Sequence, residues 1–359
     1  MSKKARIIEF DILKGIGIIC VIAGHVAQNY NMSRVMQIFY SFHMPLFFII
    51  AGYFINTSKS TKEFCISRGK KILGYYTFTC FVLIAVRSTI CWIKGGIYLA
   101  LKEGIKWIYI SIYGIGNGRG SIYINTKLQI CHTDEIGMLW FLLALLWAQC
   151  IVKFFLRYSA RICQCLIVLT TVIGIISVNY IWLPFSVQNG MAATIWIYIG
   201  YVIKEKNILQ LAENNYKYKK IFIILCLLFW CISVMKGQTE LYRNYYRLGL
   251  FDMLGALSGC IILFLLIKKM LSCRCLKDKY VHWIVWVGQN SLLFYIIHYW
   301  EQKISPNNTV GLLVKRYVGI NQKIDFCISV LIITCLCICF VKIYELLNKK
   351  IKGLRRSKL

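Results

Sequence analysis

Long apolar blocks recur along the whole chain, for example at residues 221–235, 248–267 and 324–341. A stretch approaching ~20 apolar residues is long enough to cross the hydrocarbon core of a bilayer as a helix. Hydrophobic residues make up 58% of the chain and its mean hydropathy is +0.62, whereas soluble domains average about 45–50% apolar residues. The sequence therefore predicts an all-α fold, a polytopic bundle of membrane helices.

Ten transmembrane helices are predicted, in a single domain that covers residues 1–359. Their bounds are 7–29, 36–55, 72–93, 136–152, 162–181, 187–203, 221–236, 248–267, 281–300 and 325–347. With the N-terminus in the cytoplasm, the inner segments hold about twice as many Lys and Arg residues as the outer ones, in agreement with the positive-inside rule. Both termini are then cytoplasmic. Residues 95–116 contain Lys102, Glu103 and Lys106, so we interpret them as an interfacial amphipathic helix and not as an eleventh crossing.

Charge and cysteine content bear on two further classes of partner. The formal net charge is +29, and the basic residues lie in short loops between apolar blocks, where they indicate contact with anionic lipid headgroups. No nucleic-acid motif is present, so membrane lipids are expected partners and nucleic acid is not.

Most of the 17 cysteines lie inside apolar segments, where Cys acts as a small hydrophobic residue. No pair has zinc-finger spacing, so no metal is expected.

The first predicted helix contains ionisable residues where they are energetically costly. A charged group in hydrocarbon costs ~3 kcal/mol or more, which indicates a function or a partner. Asp11 precedes Lys14 by three residues and can pair with it. Lys14 and His25 are eleven residues apart, which places them on one helix face about 16 Å apart. The structural alternative is an ion pair at the helix end and a histidine that hydrogen-bonds a neighbouring helix.

A second histidine lies at similar depth in the next predicted helix. His43 is about seven residues into the descending second helix, and His25 is about four residues from the end of the ascending first helix. Two imidazoles in a desolvated pocket can exchange protons near neutral pH. Pro45 frees a backbone carbonyl and bends the helix, which suits a cavity at this point.

A basic loop follows the second predicted helix. Arg68 and Lys71 are one turn apart at the start of the third helix, where they can hold phosphate groups on the cytoplasmic side. The alternative is that the loop carries only the positive charge typical of cytoplasmic loops.

Five segments, in chain order, resemble motifs of membrane-bound acyltransferase family 3, the integral membrane acetyltransferases that O-acetylate surface polysaccharides. Lys14 and His25 resemble its Arg/Lys-x10-His pair, and Ala51 replaces the serine in a segment similar to Phe-Phe-x-x-Ser-Gly. Lys71 replaces the second arginine of Arg-x-x-Arg, which keeps the charge but loses the bidentate geometry. The five segments are Lys14–His25, Phe47–Gly52, Arg68–Lys71, Leu139–Leu142 and Gly288–His298.

The resemblance implies an enzyme of the bacterial cytoplasmic membrane that takes an acyl group from cytoplasmic acyl-CoA and delivers it to an acceptor on the far side. Acetyl-CoA is the expected donor, with a succinyl or longer acyl group left open. Lys14, Arg68 and Lys71 would hold the CoA phosphates. His25, with His43 beside it, would act at the thioester, as the general base for the acceptor hydroxyl or as a transient acyl carrier.

The expected acceptor is a cell-envelope polysaccharide or its lipid-linked precursor. Glu135 and Trp140, at the outer end of the fourth predicted helix, offer a carboxylate and an aromatic ring to a sugar. Ser291 and His298 lie on one face of the ninth predicted helix. The structural alternatives are a solvated loop before a helix N-terminus and hydrogen bonds between helices.

Two other functions compete with acyl transfer. The membrane half of the vancomycin-resistance serine racemases looks similar and suggests an amino-acid-binding module, but no soluble racemase domain is attached here. A secondary transporter is the third interpretation, because ten spans with charges inside the membrane are common in transporters. The polar residues cluster in the first two helices and show no inverted repeat, which favours the enzyme.

Overall fold

The computed structural model describes residues 7–116, 134–180, 182–208, 216–237, 239–273, 277–304 and 309–356. The chain forms two compact units, residues 1–43 with 261–359, and residues 44–260. The two-residue strands β1 (Thr239–Glu240) and β2 (Tyr245–Tyr246) pair antiparallel. The helices are α1 Ile8–Asn29, α2 Ser33–Tyr40, α3 His43–Tyr53, α4 Thr61–Tyr113, α5 Trp140–Phe155, α6 Ala160–Ser177, α7 Val187–Ala192, α8 Thr194–Glu205, α9 Tyr216–Lys236, α10 Leu250–Ser272, α11 Asp278–Gln289, α12 Ser291–Ile304, α13 Val310–Tyr317 and α14 Gln322–Arg356.

Seven helical segments in these ranges are long and apolar enough to cross a membrane. The chain is therefore a multi-pass, all-α membrane protein, as predicted. The seven segments are α1, α2 with α3, α4, α5, α6, α10 and α14. The other three predicted spans correspond to α9, to α7 with α8, and to α11 with α12.

Two predicted spans that contain site histidines are interrupted, as is the sixth predicted span at Ala193. The second predicted span breaks at Ser41 and Phe42, so that Pro45 lies in the first turn of α3, where its missing N–H costs little. His43 therefore begins a helix and does not lie seven residues into one. The ninth predicted span breaks at Asn290, whose φ of −100° and ψ of 11° separate α11 from α12.

The unit formed by residues 1–43 and 261–359 is built around α1. Helix α11 crosses α1 in direct backbone contact, since a Cβ on Gly288 would overlap the carbonyl oxygen of Asp11 and one on Gly15 would overlap that of Ile284. Glycine at both positions is what allows this close approach. From this crossing, α1 continues towards His25, and the chain of α11 continues into α12 towards His298.

The unit formed by residues 44–260 is built around α5. Phe47 and Phe48 of α3 pack on Phe141 of α5, with ring centroids 6.0 and 5.1 Å apart. Helices α3 and α8 cross in backbone contact at Gly52 and Gly200. Two of the segments that resemble family motifs therefore pack together, and the final glycine of the first allows a helix crossing.

Residues 97–113 form the returning arm of a helical hairpin within α4. The backbone turns at Gly95 and Gly96, where φ and ψ leave the helical region. The Tyr76 hydroxyl donates to the Ser111 carbonyl at 2.6 Å, and Arg87 pairs with Glu103 at 2.6 Å, so the two arms run antiparallel. Residues 97–113, which lie in the segment interpreted from the sequence as an interfacial amphipathic helix, thus pack along the preceding helix.

Candidate active site

His25 lies near the end of α1 with aromatic rings on two sides. Its ring centroid is 5.8 Å from that of His298 and 6.1 Å from that of Tyr40. Gly24 permits this arrangement, since a Cβ there would contact the Tyr40 ring at 2.7 Å. Gln28, one turn further along α1, donates to the Tyr40 hydroxyl at 2.9 Å. The partly exposed imidazole is thus held on a face from which it can reach a substrate.

His43 is fixed by the break between α2 and α3. Its Nδ1 is 2.6 Å from the carbonyl oxygen of Phe39, which can only accept, so Nδ1 carries a proton. The Phe39 carbonyl at the end of α2 therefore accepts from the imidazole and from the Phe42 N–H at 3.4 Å. The ring is buried and lies 5.2 Å from Tyr40, which separates it from a direct ring contact with His25.

His298 brings an acidic partner to the site. Its side chain is completely buried, and Nδ1 is 3.3 Å from Oε2 of Glu301, one turn along α12. The Gln302 amide nitrogen is 3.3 Å from the opposite ring nitrogen, Nε2. The other oxygen of Glu301 accepts from the backbone N–H of Val310 at 2.8 Å. Nδ1 of His298 is therefore within ion-pair distance of the carboxylate without making a hydrogen bond to a described residue, and Nε2 lies beside the Gln302 amide.

A cavity of about 180 Å³ opens beside these two histidines. Its walls come from α1, α12 and α14 and from the start of α13. The lining residues are His25, Val26, Gln28, Asn29, His298, Glu301, Gln302, Lys303, Thr309 and Ile333. The structure therefore joins His25, a predicted catalytic residue, and His298, a predicted acceptor-binding residue, in one polar cavity.

Lys14 and Asp11 form the predicted pair near the start of α1. Lys14 Nζ is 2.7 Å from Asp11 Oδ1, and the Asp11 side chain is only 6% exposed. Helix α1 is continuous from Ile8 to Asn29, so the rise from Lys14 to His25 is about 16 Å, as predicted. Lys14 lies at one end of this helix and the histidine cavity at the other.

Arg68 and Lys71 lie in the other unit, near the start of α4. The Arg68 guanidinium stands over the Phe64 ring at 5.5 Å, and Lys153 of α5 approaches the same ring at 5.9 Å. Lys71 is exposed one turn further along. Arg68 is thus half-buried beside a second basic side chain that the sequence interpretation counted only as loop charge.

The remaining predicted acceptor residues are not brought together by the described contacts. Trp140 is 5% exposed and lies so close to Gly116 that a Cβ there would contact its indole ring, which is a packing role. Ser291 is the first residue of α12 and is two turns, about 10 Å, from His298. Glu135 lies near Tyr242, where burial and then Glu240 raise the pKa of the Tyr242 hydroxyl above its ordinary value.

The sequence interpretation missed Tyr40, Gln28 and Glu301. Gln28 and Glu301 each follow a site histidine by three residues, and polar partners at that spacing share a helix face. This spacing was the available signal. Tyr40 carries no such signal, because its ring reaches His25 only after the chain turns between α1 and α2.

Comparison with known proteins identifies the family of this chain. A 74-residue segment is 38% identical to the nodulation protein NolL of Sinorhizobium fredii (strain NBRC 101917 / NGR234). The match covers 18% of this chain and 20% of that protein, so the chain spans about a fifth of the length of this curated relative. No solved structure matches. The family model described as an acyltransferase domain matches residues 7–342, and with that match over nearly the whole sequence, the chain belongs to acyltransferase family 3 and is a membrane acyltransferase.

Proposed function

We propose that this acyltransferase moves an acetyl group from cytoplasmic acetyl-CoA to a hydroxyl of a cell-envelope polysaccharide or its lipid-linked precursor. The observation that carries the proposal is the His25–His298 pair at 5.8 Å in a polar cavity. An imidazole beside a second imidazole, itself 3.3 Å from the Glu301 carboxylate, suits proton transfer from a hydroxyl. Lys14 at the other end of the same helix suits the donor phosphates.

The transfer breaks the thioester C–S bond and forms an ester C–O bond. With His25 as general base, the acceptor hydroxyl gives its proton to the imidazole while its oxygen attacks the acyl carbon. The CoA sulfur leaves as a thiolate and takes up a proton. With His25 as acyl carrier, an imidazole nitrogen bonds the acyl carbon first and the acceptor oxygen displaces it. His298 lies beside His25 at this step, and Tyr40 lies between His25 and His43.

We further propose the cellular setting. The protein lies in a bacterial cytoplasmic membrane with ten spans, both termini cytoplasmic, and one acyltransferase domain that includes both units. The excess of Lys and Arg in the inner segments supports the orientation, and the family match across both units supports the single domain. Terminal fusions to a reporter that is active only in the cytoplasm test the orientation, which is wrong if either fusion is inactive.

The central experiment measures CoA release by detergent-purified protein. Radiolabelled acetyl-CoA is supplied with and without an envelope glycan fraction, and label transfer is counted. We expect His25→Ala to lose about 100-fold or more of the rate, whereas His282→Ala, an exposed histidine on α11, serves as the matched control. If folded His25→Ala protein acetylates like the wild type, the mechanism is wrong.

Two further arms separate donors and functions. Succinyl-CoA and longer acyl-CoAs in place of acetyl-CoA test the donor, and label retained on protein without an acceptor identifies an acyl carrier. Solute uptake into vesicles without CoA consumption would instead indicate a transporter.

A further inference from the structure

A second cavity, of about 590 Å³, lies in the unit formed by residues 44–260. Its walls come from the turn before α4, the end of α5 and the segment after it, and α8. The described lining residues are Thr57, Lys59, Ser60, Thr61, Lys62, Lys153, Leu156, Arg157 and Tyr201. Four of these are Lys or Arg and none is Asp or Glu. The cavity thus concentrates positive charge in a volume typical of small-molecule sites.

Lys153 is the buried member of this group. The residue is 7% exposed, yet Nζ contacts no carboxylate among its described partners and instead donates to the carbonyl oxygens of Asn56 and Thr57, both at 3.1 Å. A buried ammonium is costly unless an opposite charge compensates it. Carbonyl dipoles orient this cation without neutralising it, so it can still attract an anion in the cavity that it lines.

Hydrogen bonds from lysine side chains and a helix cap stabilise the turn before α4. Lys204 of α8 donates to the Ile55 carbonyl at 3.3 Å, so three successive carbonyls accept from two lysines. Ser60 caps α4, and Glu63 is engaged in that cap through the Ser60 backbone N–H. Ser60, Thr61 and Lys62, at the start of α4, line the same cavity, at the helix end that carries partial positive charge.

We propose that this basic cavity, defined by Lys59, Lys62, Lys153 and Arg157, binds the phosphate-rich adenosine end of the acyl-CoA donor. Several phosphates on one ligand match four cations, and the Tyr201 side chain on the cavity wall gives an adenine ring an aromatic partner. Arg68 and the cavity residue Lys153 approach the same Phe64 ring. The proposed phosphate site therefore uses residues of α5 and the segment after it, where the sequence had predicted the Arg68–Lys71 pair. This proposal rests on the proposed function.

The test measures binding of adenosine 3′,5′-bisphosphate, which is the charged end of CoA without an acyl group, to the detergent-purified full chain. We expect Lys62→Gln/Arg157→Gln to weaken binding about 10-fold or more, because charge-assisted contacts are lost. Arg161→Gln is the matched control, since Arg161 is an exposed cation on neighbouring α6 that does not line the cavity. Lys153 is left intact because its substitution also removes two hydrogen bonds from the turn.

A kinetic arm compares acetyl-CoA with acetyl-dephospho-CoA, which lacks the 3′-phosphate. Wild-type protein should have the lower KM for acetyl-CoA, and the double variant should lose most of that preference with little change in kcat. An unchanged preference, together with unchanged bisphosphate binding, overturns the cavity assignment while acyl transfer itself stands. If wild-type protein neither binds the bisphosphate nor uses acetyl-CoA, the proposed function has failed as well.

A lipid headgroup is the other source of phosphate. In nanodiscs that contain phosphatidylglycerol, the cavity assignment predicts that bisphosphate binding matches that in phosphatidylcholine nanodiscs. The proposal is overturned if phosphatidylglycerol competes with the bisphosphate in wild-type protein and this competition is lost in Lys62→Gln/Arg157→Gln. The cavity would then be a lipid site.

Discussion

His25 and His298 face each other across 5.8 Å, and each lies ten residues beyond the glycine at which its segment meets the other. Gly15 precedes His25 on α1, and Gly288 precedes His298 across the break between α11 and α12. Residues that are 273 positions apart in the sequence are therefore aligned by one close helix crossing. The acyl-transfer site depends on this crossing as much as on the histidines themselves.

The Glu301 carboxylate is expected to act as a positioning group for His298. Glu301→Gln should lower kcat about 10-fold or more, because the imidazole loses the charge that orients it, while KM for the donor changes little. The measurement is steady-state acetyl transfer. A rise in donor KM with kcat unchanged would contradict this role, and Gln302→Ala separates loss of the amide partner from loss of the carboxylate.

The crossing of α1 and α11 predicts a large cost for a single methyl group. Gly288→Ala places a Cβ on the Asp11 carbonyl, so the helices must separate, at a cost of about 1–3 kcal/mol. Thermal unfolding in detergent checks this. Gly74→Ala is the matched control, since a Cβ there meets nothing within 4 Å and alanine favours helix. Equal melting temperatures for the two variants would show that the crossing is looser than described.

The Asp11–Lys14 pair predicts non-additive substitutions. Lys14→Met removes the ammonium that pairs with the buried Asp11 carboxylate. Asp11→Asn removes the carboxylate that pairs with the Lys14 ammonium. The double substitution should therefore destabilise less than the sum of the singles, with a coupling of about 0.5–3 kcal/mol. Chemical denaturation in detergent measures it. Strict additivity would mean that the pair contributes nothing to stability.

The α4 hairpin is expected to depend on Glu103. Its Oε1 accepts from Arg87 Nε at 2.7 Å and from Trp107 Nε1 at 2.9 Å, and the Arg87 guanidinium also stands over the Trp107 ring at 4.9 Å. Glu103→Gln should speed hydrogen exchange across residues 97–113, because the returning arm loses its charged contact. Lys102→Gln, an exposed neighbour, should leave exchange unchanged.

The membrane helices were predictable because length and hydropathy alone specify them. Three of the ten predicted spans were harder to identify as membrane helices. Ala193 and Asn290 interrupt the sixth and ninth spans, and charged residues begin the helix of the seventh. The apolar pattern of a segment does not show where its helix is interrupted. Pro45 did mark the interruption near His43, although the chain breaks before it and not at it.

The site was partly predictable for the same reason. Lys14 and His25 share one continuous helix, so spacing alone gives their distance. The partners of His25 come from long-range packing, and Tyr40 and His298 could not be paired with it from spacing. The basic cavity is a stronger case, since Lys62, Arg157 and Tyr201 come from three separate segments.

The contact of Gly15 with Gly288 also determines how the site can open. His25 and His298 are each about 15 Å from this point along their helices, so the crossing is a pivot with two long arms. A relative tilt of only about 10° would change the separation of the imidazoles by roughly 2–3 Å over such an arm. Asn290 lies on one arm, held by bonds to Trp286 and Glu345 at 3.1 and 3.4 Å. A small change of angle at this tightly packed point would thus alter the space between the two imidazoles.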